Sequence, residues 1–121
     1  MRPTTLFLTA SLLAFAFAAA FLIAPGAMLH QYGISADPST VLLSRFFAGA
    51  LVQLAITVYL LRDVREAATI RAIAIGGTLA SACGTLVALV GVLNGVTNSL
   101  GWTTVAIYGL LFAGYAGCLR A

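Results

Sequence analysis

The chain has 121 residues, of which 62% are hydrophobic and only 7% are charged, with six basic and three acidic side chains. Soluble domains are about 45–50% apolar and about 25% charged, and disordered chains combine low hydrophobicity with high charge. The composition excludes both classes. It predicts an integral membrane protein, and the length allows a single domain over residues 1–121.

Four apolar segments follow one another along the chain, at about residues 4–24, 38–61, 70–93 and 102–119. Each is close to the roughly 20 residues that a helix needs to cross the hydrocarbon core of a bilayer. None alternates apolar with polar residues, as the strands of a membrane barrel do. The sequence therefore predicts an all-α fold, namely a four-helix transmembrane bundle.

The connection between the first two segments carries helix signals of its own. Pro25-Gly26 ends the first segment, and Asp37-Pro38 has the form of an N-cap followed by proline at the first helical position. Between them, apolar residues recur at helical spacing over Ala27–Tyr32. We predict a short helix here, lying on the outer surface of the membrane, with an irregular loop as the alternative.

The arginines indicate how the chain is oriented. Arg62, Arg65 and Arg71 lie in or beside the second connection, and Arg2 and Arg120 lie near the termini. Because positive residues are retained on the cytoplasmic side, both termini and the second connection are expected in the cytoplasm. The use of arginine without lysine fits a GC-rich bacterial source, so the expected location is the bacterial inner membrane. The spacing of these charges predicts contact with lipid headgroups and no nucleic-acid partner.

Small residues recur at every fourth position in three of the predicted spans, the first of which has Ala10, Ala14 and Ala18. The third span has Gly76, Ala80, Gly84 and Ala88, and the fourth has Gly109, Ala113 and Gly117. Such rows allow the backbones of two helices to approach closely. They predict tight packing within the bundle, with contact with another subunit as the alternative.

Arg45 is the charged residue whose position the predicted topology does not explain. It lies roughly 10 Å inside the second span, where an arginine costs about 2.5–3.5 kcal/mol to insert. Its side chain either extends toward the outer headgroups and Asp37, or binds an anion such as a lipid phosphate, a carboxylate ligand or an acid of a partner protein. Ser44 and Gln53 complete a candidate polar seam with Arg45. For Gln53, the alternative is a simple hydrogen bond to a neighbouring helix.

The residue types that several activities need are missing from the sequence. No predicted span contains Asp or Glu, which argues against a proton-coupled multidrug carrier, and there is no Cys-x-x-Cys pair. His30 is the one histidine, and it is interpreted as a solvated residue at the membrane surface, with axial ligation of a pigment or haem as the alternative. No catalytic residue and no metal site are predicted, and the sequence specifies no cofactor.

The stretch Leu22–Asp63 carries four features in a fixed order, namely Pro25, Tyr32-Gly33, Asp37-Pro38 and Arg45. This pattern is similar to one found in small four-helix proteins of the bacterial inner membrane. The general architecture resembles that of the DoxX-like group. The resemblance covers about a third of the chain in specific residues and implies the fold, but no activity.

These observations favour a non-enzymatic membrane protein. We expect an accessory or structural subunit of a larger membrane assembly, or a homo-oligomer, whose partners are the lipid bilayer and other membrane subunits or a second copy. The first alternative is a binder or conduit for a lipid-like molecule, such as a quinone, an anionic lipid or a pigment, at the polar seam around Arg45. The second alternative is a small transporter or channel.

Overall fold

Four long helices and one short helix make up the computed structural model, which describes residues 2–120. They are α1 (Pro3–Ile23), α2 (Pro25–Gln31), α3 (Pro38–Leu60), α4 (Ala67–Leu93) and α5 (Gly101–Arg120). The four long helices are all long and apolar enough to cross a membrane, and no strand occurs within residues 2–120. The predicted all-α fold with four spans is confirmed, and the predicted short helix is confirmed as α2.

Prolines occupy the first turn of three helices, where their missing N–H group breaks no helical hydrogen bond. They are Pro3, Pro25 and Pro38. Pro25 therefore begins α2 directly after α1, so that α2 starts two residues earlier than predicted. Asp37 caps α3 as expected, because its carboxylate accepts hydrogen bonds from the backbone N–H of Thr40 at 2.8 Å and from the Thr40 hydroxyl at 2.9 Å.

The long helices pack as two pairs. α1 packs against α3, α4 packs against α5, and the contact between the pairs is made mainly by α1 and α5. The order of the helices across the bundle is therefore α3–α1–α5–α4. The two outer helices, α3 and α4, barely touch one another, and α2 packs on α1 and α3.

Small side chains bring α1 and α3 together. Ala14 and Ala18 on α1 and Ala48 and Ala55 on α3 are each at most 6% exposed. Alanines at such positions allow the two backbones to approach closely, which increases the van der Waals contact that holds helices together in lipid. The α1–α3 pair is thus built on alanine contacts.

The α4–α5 pair is built differently, with tyrosine rings seated on glycines. A Cβ atom built on Gly77 would overlap the ring of Tyr115, and one built on Gly84 would overlap the ring of Tyr108. The two glycines and the two tyrosines are each two helical turns apart. The two antiparallel helices therefore make this ring-on-glycine contact at two points on the same face.

The two pairs are joined at the end of the bundle that holds the start of α1 and the loop between α3 and α4, called the terminal end below. Leu6 and Phe7 of α1, Val58 of α3 and Tyr115 of α5 form a buried core there. The rings of Phe7 and Tyr115 have centroids 6.2 Å apart. This core ties three of the four long helices together.

The opposite end, called the α2 end below, is joined by hydrogen bonds between two loops. The Asn98 side-chain amide donates to the Gln31 carbonyl at 2.8 Å, and the Asn98 backbone N–H donates to the Tyr32 carbonyl at 2.9 Å. The hydroxyls of Tyr32 and Thr104 are 2.8 Å apart. These bonds connect the region after α2 to the start of α5, so the pairs are held together at both ends.

We expect Gly84→Ala to destabilise the α4–α5 pair by about 1–3 kcal/mol, because the new methyl group must displace the Tyr108 ring. Gly109→Ala is the matched control, since nothing lies within 4 Å of a Cβ atom added there. This control should gain roughly 0.5–1 kcal/mol from the better helix propensity of alanine. Unfolding of the detergent-solubilised proteins measures both effects, and equal stability of the two variants would contradict the ring-on-glycine contact.

Candidate functional site

A cavity of about 450 Å³ lies between the two helix pairs. Small-molecule sites in proteins commonly have volumes of about 300–1,000 Å³, so this space is large enough for a ligand. All four long helices contribute to its wall. The lining residues on these helices are Ala10, Leu13, Ala14, Phe17 and Phe21 of α1, Phe47, Leu51 and Leu54 of α3, Gly76, Gly77, Ala80, Ser81, Val87, Ala88 and Gly91 of α4, and Gly101, Thr104, Ile107, Tyr108, Leu111 and Tyr115 of α5.

The wall of this cavity is hydrocarbon with a few hydroxyl groups. Among residues 2–120, no acidic or basic side chain lines it, and its polar side chains are those of tyrosine, serine and threonine. A charged group placed in such a space would lose its hydration without gaining a partner. The cavity therefore suits an uncharged, mostly apolar molecule.

Residues at both ends of the bundle contribute to the cavity wall. Tyr115, which belongs to the buried core at the terminal end, lines it from that side. At the α2 end the lining includes Leu29, Tyr32, Ile34 and Val96, which lie on α2 and in the two loops joined by Asn98. Loop residues therefore form part of the wall at the α2 end, and Val96 among them is 61% exposed.

The open side of the cavity lies between α3 and α4, the two helices that barely touch. Phe47 and Leu54 of α3 and Val87 of α4 line the cavity, yet they are 42%, 50% and 74% exposed. Because both helices are apolar enough to span a membrane, this opening lies at the depth of the lipid chains when the bundle is inserted. The cavity is then accessible from the hydrocarbon phase.

The structure does not bring Ser44, Arg45 and Gln53 together. Ser44 is buried and its hydroxyl donates to the Thr40 carbonyl at 2.8 Å, whereas Arg45 and Gln53 are exposed. None of the three lines the cavity. Eight residues rotate a helix by about 80° beyond two full turns, so that Arg45 and Gln53 point in different directions.

The remaining polar candidates also lie away from the cavity. Asp37 serves as the N-cap of α3, and within residues 2–120 it forms no ion pair with Arg45. His30 is exposed on α2. The part of the chain that the structure describes has no cluster of three His, Cys, Asp or Glu residues that could hold a metal ion.

The predicted row of small residues on α4 divides between two roles. Gly84 contacts the Tyr108 ring, whereas Gly76, Ala80 and Ala88 line the cavity. Gly84 lies between Ala80 and Ala88 in the row, so its different role comes from the Tyr108 ring that covers it. Most of the row thus makes room for the cavity instead of contacting another helix.

The corresponding row on α5 faces away from neighbouring helices. Nothing lies within 4 Å of a Cβ atom added to Gly109 or Gly117, and Ala113 is exposed. The contacts with α4 are made instead by Tyr108 and Tyr115. These two tyrosines were not among the predicted site residues, although their two-turn spacing matches that of the glycines beneath them.

Comparison of the chain with protein-family models, with curated proteins and with solved structures found no match. The resemblance to the DoxX-like group therefore stays a prediction. The function must be argued from the cavity and from the exposed polar residues themselves.

We expect the cap at Asp37 to make stability depend on acid pH. Hydrogen bonds from the backbone N–H and then from the hydroxyl of Thr40 hold the pKa of Asp37 below its ordinary value. Because the pKa is lower in the folded state, the cap stabilises α3 above about pH 4 and loses its effect as the pH falls through the lowered pKa. Asp37→Asn should remove this part of the pH dependence.

The measurement is the thermal unfolding midpoint in detergent between pH 6 and pH 2.5, compared for the natural chain and Asp37→Asn. If the two midpoints fell in parallel over the whole range, Asp37 would not act as a charged cap.

Proposed function

We propose that this protein binds a lipid-like molecule within the bilayer, in the cavity between its two helix pairs. The observation that carries the proposal is the cavity itself, which is of ligand size, is lined mainly by hydrocarbon and has walls from all four long helices. Its opening between α3 and α4 offers a route for a molecule that is dissolved in the lipid. The site differs from the polar seam around Arg45 that the sequence suggests for the same class of ligand.

A ligand that enters from the lipid phase gains no hydrophobic free energy, because it leaves one apolar environment for another. Its affinity must come from van der Waals contact with the wall and from hydrogen bonds. Phe17, Phe21 and Phe47 supply large contact surfaces, while Gly76 and Ala80 on α4 leave the space open. The cavity therefore selects its ligand by shape and by polar pairing.

A second proposal is that the protein is an accessory subunit of a larger membrane assembly, or a homo-oligomer. It is supported by Arg45, which is exposed on α3 beside Leu43 and Phe46, each 67% exposed. An arginine that faces hydrocarbon is costly unless an anion pairs with it. An acidic residue of a partner protein would supply that anion, and a lipid phosphate is the alternative.

We also propose that the protein resides in the bacterial inner membrane with both termini in the cytoplasm. The arginines near the terminal end support this orientation, because positive residues are retained on the cytoplasmic side. In this orientation α2 lies at the outer surface of the membrane. Membership of the DoxX-like group is part of the same proposal, supported by the pattern of residues in Leu22–Asp63.

We expect Gly76→Phe to abolish ligand binding by filling the cavity. Nothing lies within 4 Å of a Cβ atom added to Gly76, so the helix accepts a side chain there, and the residue lines the cavity. Gly49→Phe is the matched control on α3, where an added Cβ atom is equally free and the residue does not line the cavity. Both variants gain the same helix propensity.

The measurement is native mass spectrometry of protein extracted from its own membranes in mild detergent. The natural chain and Gly49→Phe should retain a lipophilic small molecule, and Gly76→Phe should not. If the natural chain retained nothing, or if Gly76→Phe retained the same molecule to the same extent, the proposed binding function would be wrong.

We expect Arg45→Leu to weaken any association with a partner protein, because it removes the only charge on that surface of α3. Gly49→Leu, on the same helix and also exposed, should leave association unchanged. The measurement is the amount of partner that co-purifies with each variant under mild solubilisation. Equal recovery with Arg45→Leu and with the natural chain would contradict the subunit proposal.

A further inference from the structure

Ser81 is a polar group placed halfway along the cavity wall on α4. It is 4% exposed and lines the cavity. About one helical turn to either side lie Gly77 and Gly84, which are covered by the rings of Tyr115 and Tyr108. Along α4, the serine thus lies between the two ring contacts and forms part of the cavity wall.

Within residues 2–120 the Ser81 hydroxyl forms no hydrogen bond. The hydroxyl of Thr97, which lines the cavity at the α2 end, is fully buried and also has no partner. Several other hydroxyls in the helices are paired. On α4, Thr78 and Thr85 each donate to a carbonyl of the preceding turn at 2.7 Å. The other two buried serines, Ser11 and Ser44, donate to helix carbonyls at 2.8 Å. An unpaired hydroxyl in apolar surroundings is costly, so a bound molecule that pairs with Ser81 would relieve that cost.

The chemistry of the wall restricts what this molecule can be. In the part of the chain that the structure describes, no charged side chain lines the cavity, so an ionised headgroup has no counterpart there. A pure hydrocarbon fits the wall but leaves the Ser81 hydroxyl unpaired. A carbonyl oxygen accepts one hydrogen bond and brings no donor that would itself need a partner.

We infer that the occupant of the cavity is an uncharged lipid-like molecule with a carbonyl oxygen that accepts a hydrogen bond from Ser81. The inference rests on the proposed function and deepens it by naming the chemical class and the recognising residue. Quinones and fatty-acid esters share this chemistry and are its two sources. From the usual net strength of a neutral hydrogen bond, the carbonyl should improve affinity roughly two- to tenfold.

The test compares matched probes that differ only in their oxygen chemistry. The quinone arm uses 2-methyl-1,4-naphthoquinone against 2-methylnaphthalene, and the ester arm uses methyl dodecanoate against tetradecane. Each probe is equilibrated by dialysis between nanodiscs with and without the full-length protein, in the same lipid. The excess of probe in the protein-containing discs gives its affinity and removes ordinary partitioning into the bilayer.

The natural chain should bind the carbonyl probe of at least one arm roughly two- to tenfold more tightly than its hydrocarbon. Ser81→Ala should reduce the affinity for that probe to the level of the hydrocarbon. Ser44→Ala is the matched control, because it removes the hydroxyl of a buried serine that does not line the cavity. Ser81→Gly provides a second variant without the hydroxyl in case Ser81→Ala fails to fold.

The outcomes separate the inference from the proposed function. Preference for the carbonyl probe in one arm alone supports the inference and identifies the source as a quinone or an ester. Equal binding of carbonyl and hydrocarbon probes, or a preference that survives in Ser81→Ala and Ser81→Gly, overturns the inference and leaves the proposed function standing. Absence of protein-dependent binding for all four probes overturns both.

Discussion

Tyr108 and Tyr115 rest on Gly84 and Gly77, and these two contacts hold α5 against α4. Within a bilayer the surrounding lipid is as apolar as the side chains, so helices associate through close packing and not through the hydrophobic effect. A ring seated directly on a glycine makes many van der Waals contacts over a small area. Both tyrosines also line the cavity, so the contacts that build this pair also shape one wall of the site.

The cavity follows from the way the two pairs are assembled. The α1–α3 pair packs through alanines, and the α4–α5 pair packs through tyrosines on glycines. The close contacts of each helix are therefore made mostly with its own partner in the pair. Between the pairs, contact is limited to α1 against α5 and to the two ends of the bundle. The side chains that line the space between the pairs lack van der Waals partners on that side, and a bound molecule would supply them.

The sequence was sufficient to predict the elements of the fold. The spans follow from the length of apolar segments, and the start of α3 follows from the capping chemistry of Asp37-Pro38. The largest difference at a span boundary is at α4, which begins at Ala67 and not near Ile70. There the helix continues past the apolar segment into the polar loop, because backbone hydrogen bonds do not depend on hydrophobicity.

The site was harder to predict, because it depends on how each helix is rotated about its axis. Gly76 and Gly84 belong to one row in the sequence, yet the first lines the cavity and the second contacts Tyr108. The spacing of Arg45 and Gln53 suggests a shared seam, yet both residues are exposed and point in different directions. The gap between α3 and α4 is a property of helix positions in three dimensions, and no local pattern encodes it.

The buried core at the terminal end imposes an order on assembly. Leu6 and Phe7 of α1 meet Tyr115 of α5 there, although most of the chain separates them. Since the ribosome delivers helices in sequence, α1 and α3 are able to pair while α4 and α5 are still being made, whereas this core must wait for α5. Contacts between such distant segments close slowly. Until α5 is inserted, the surface of α1 that will contact Tyr115 has no partner within the chain. The cavity is likewise complete only when α5 has joined the bundle.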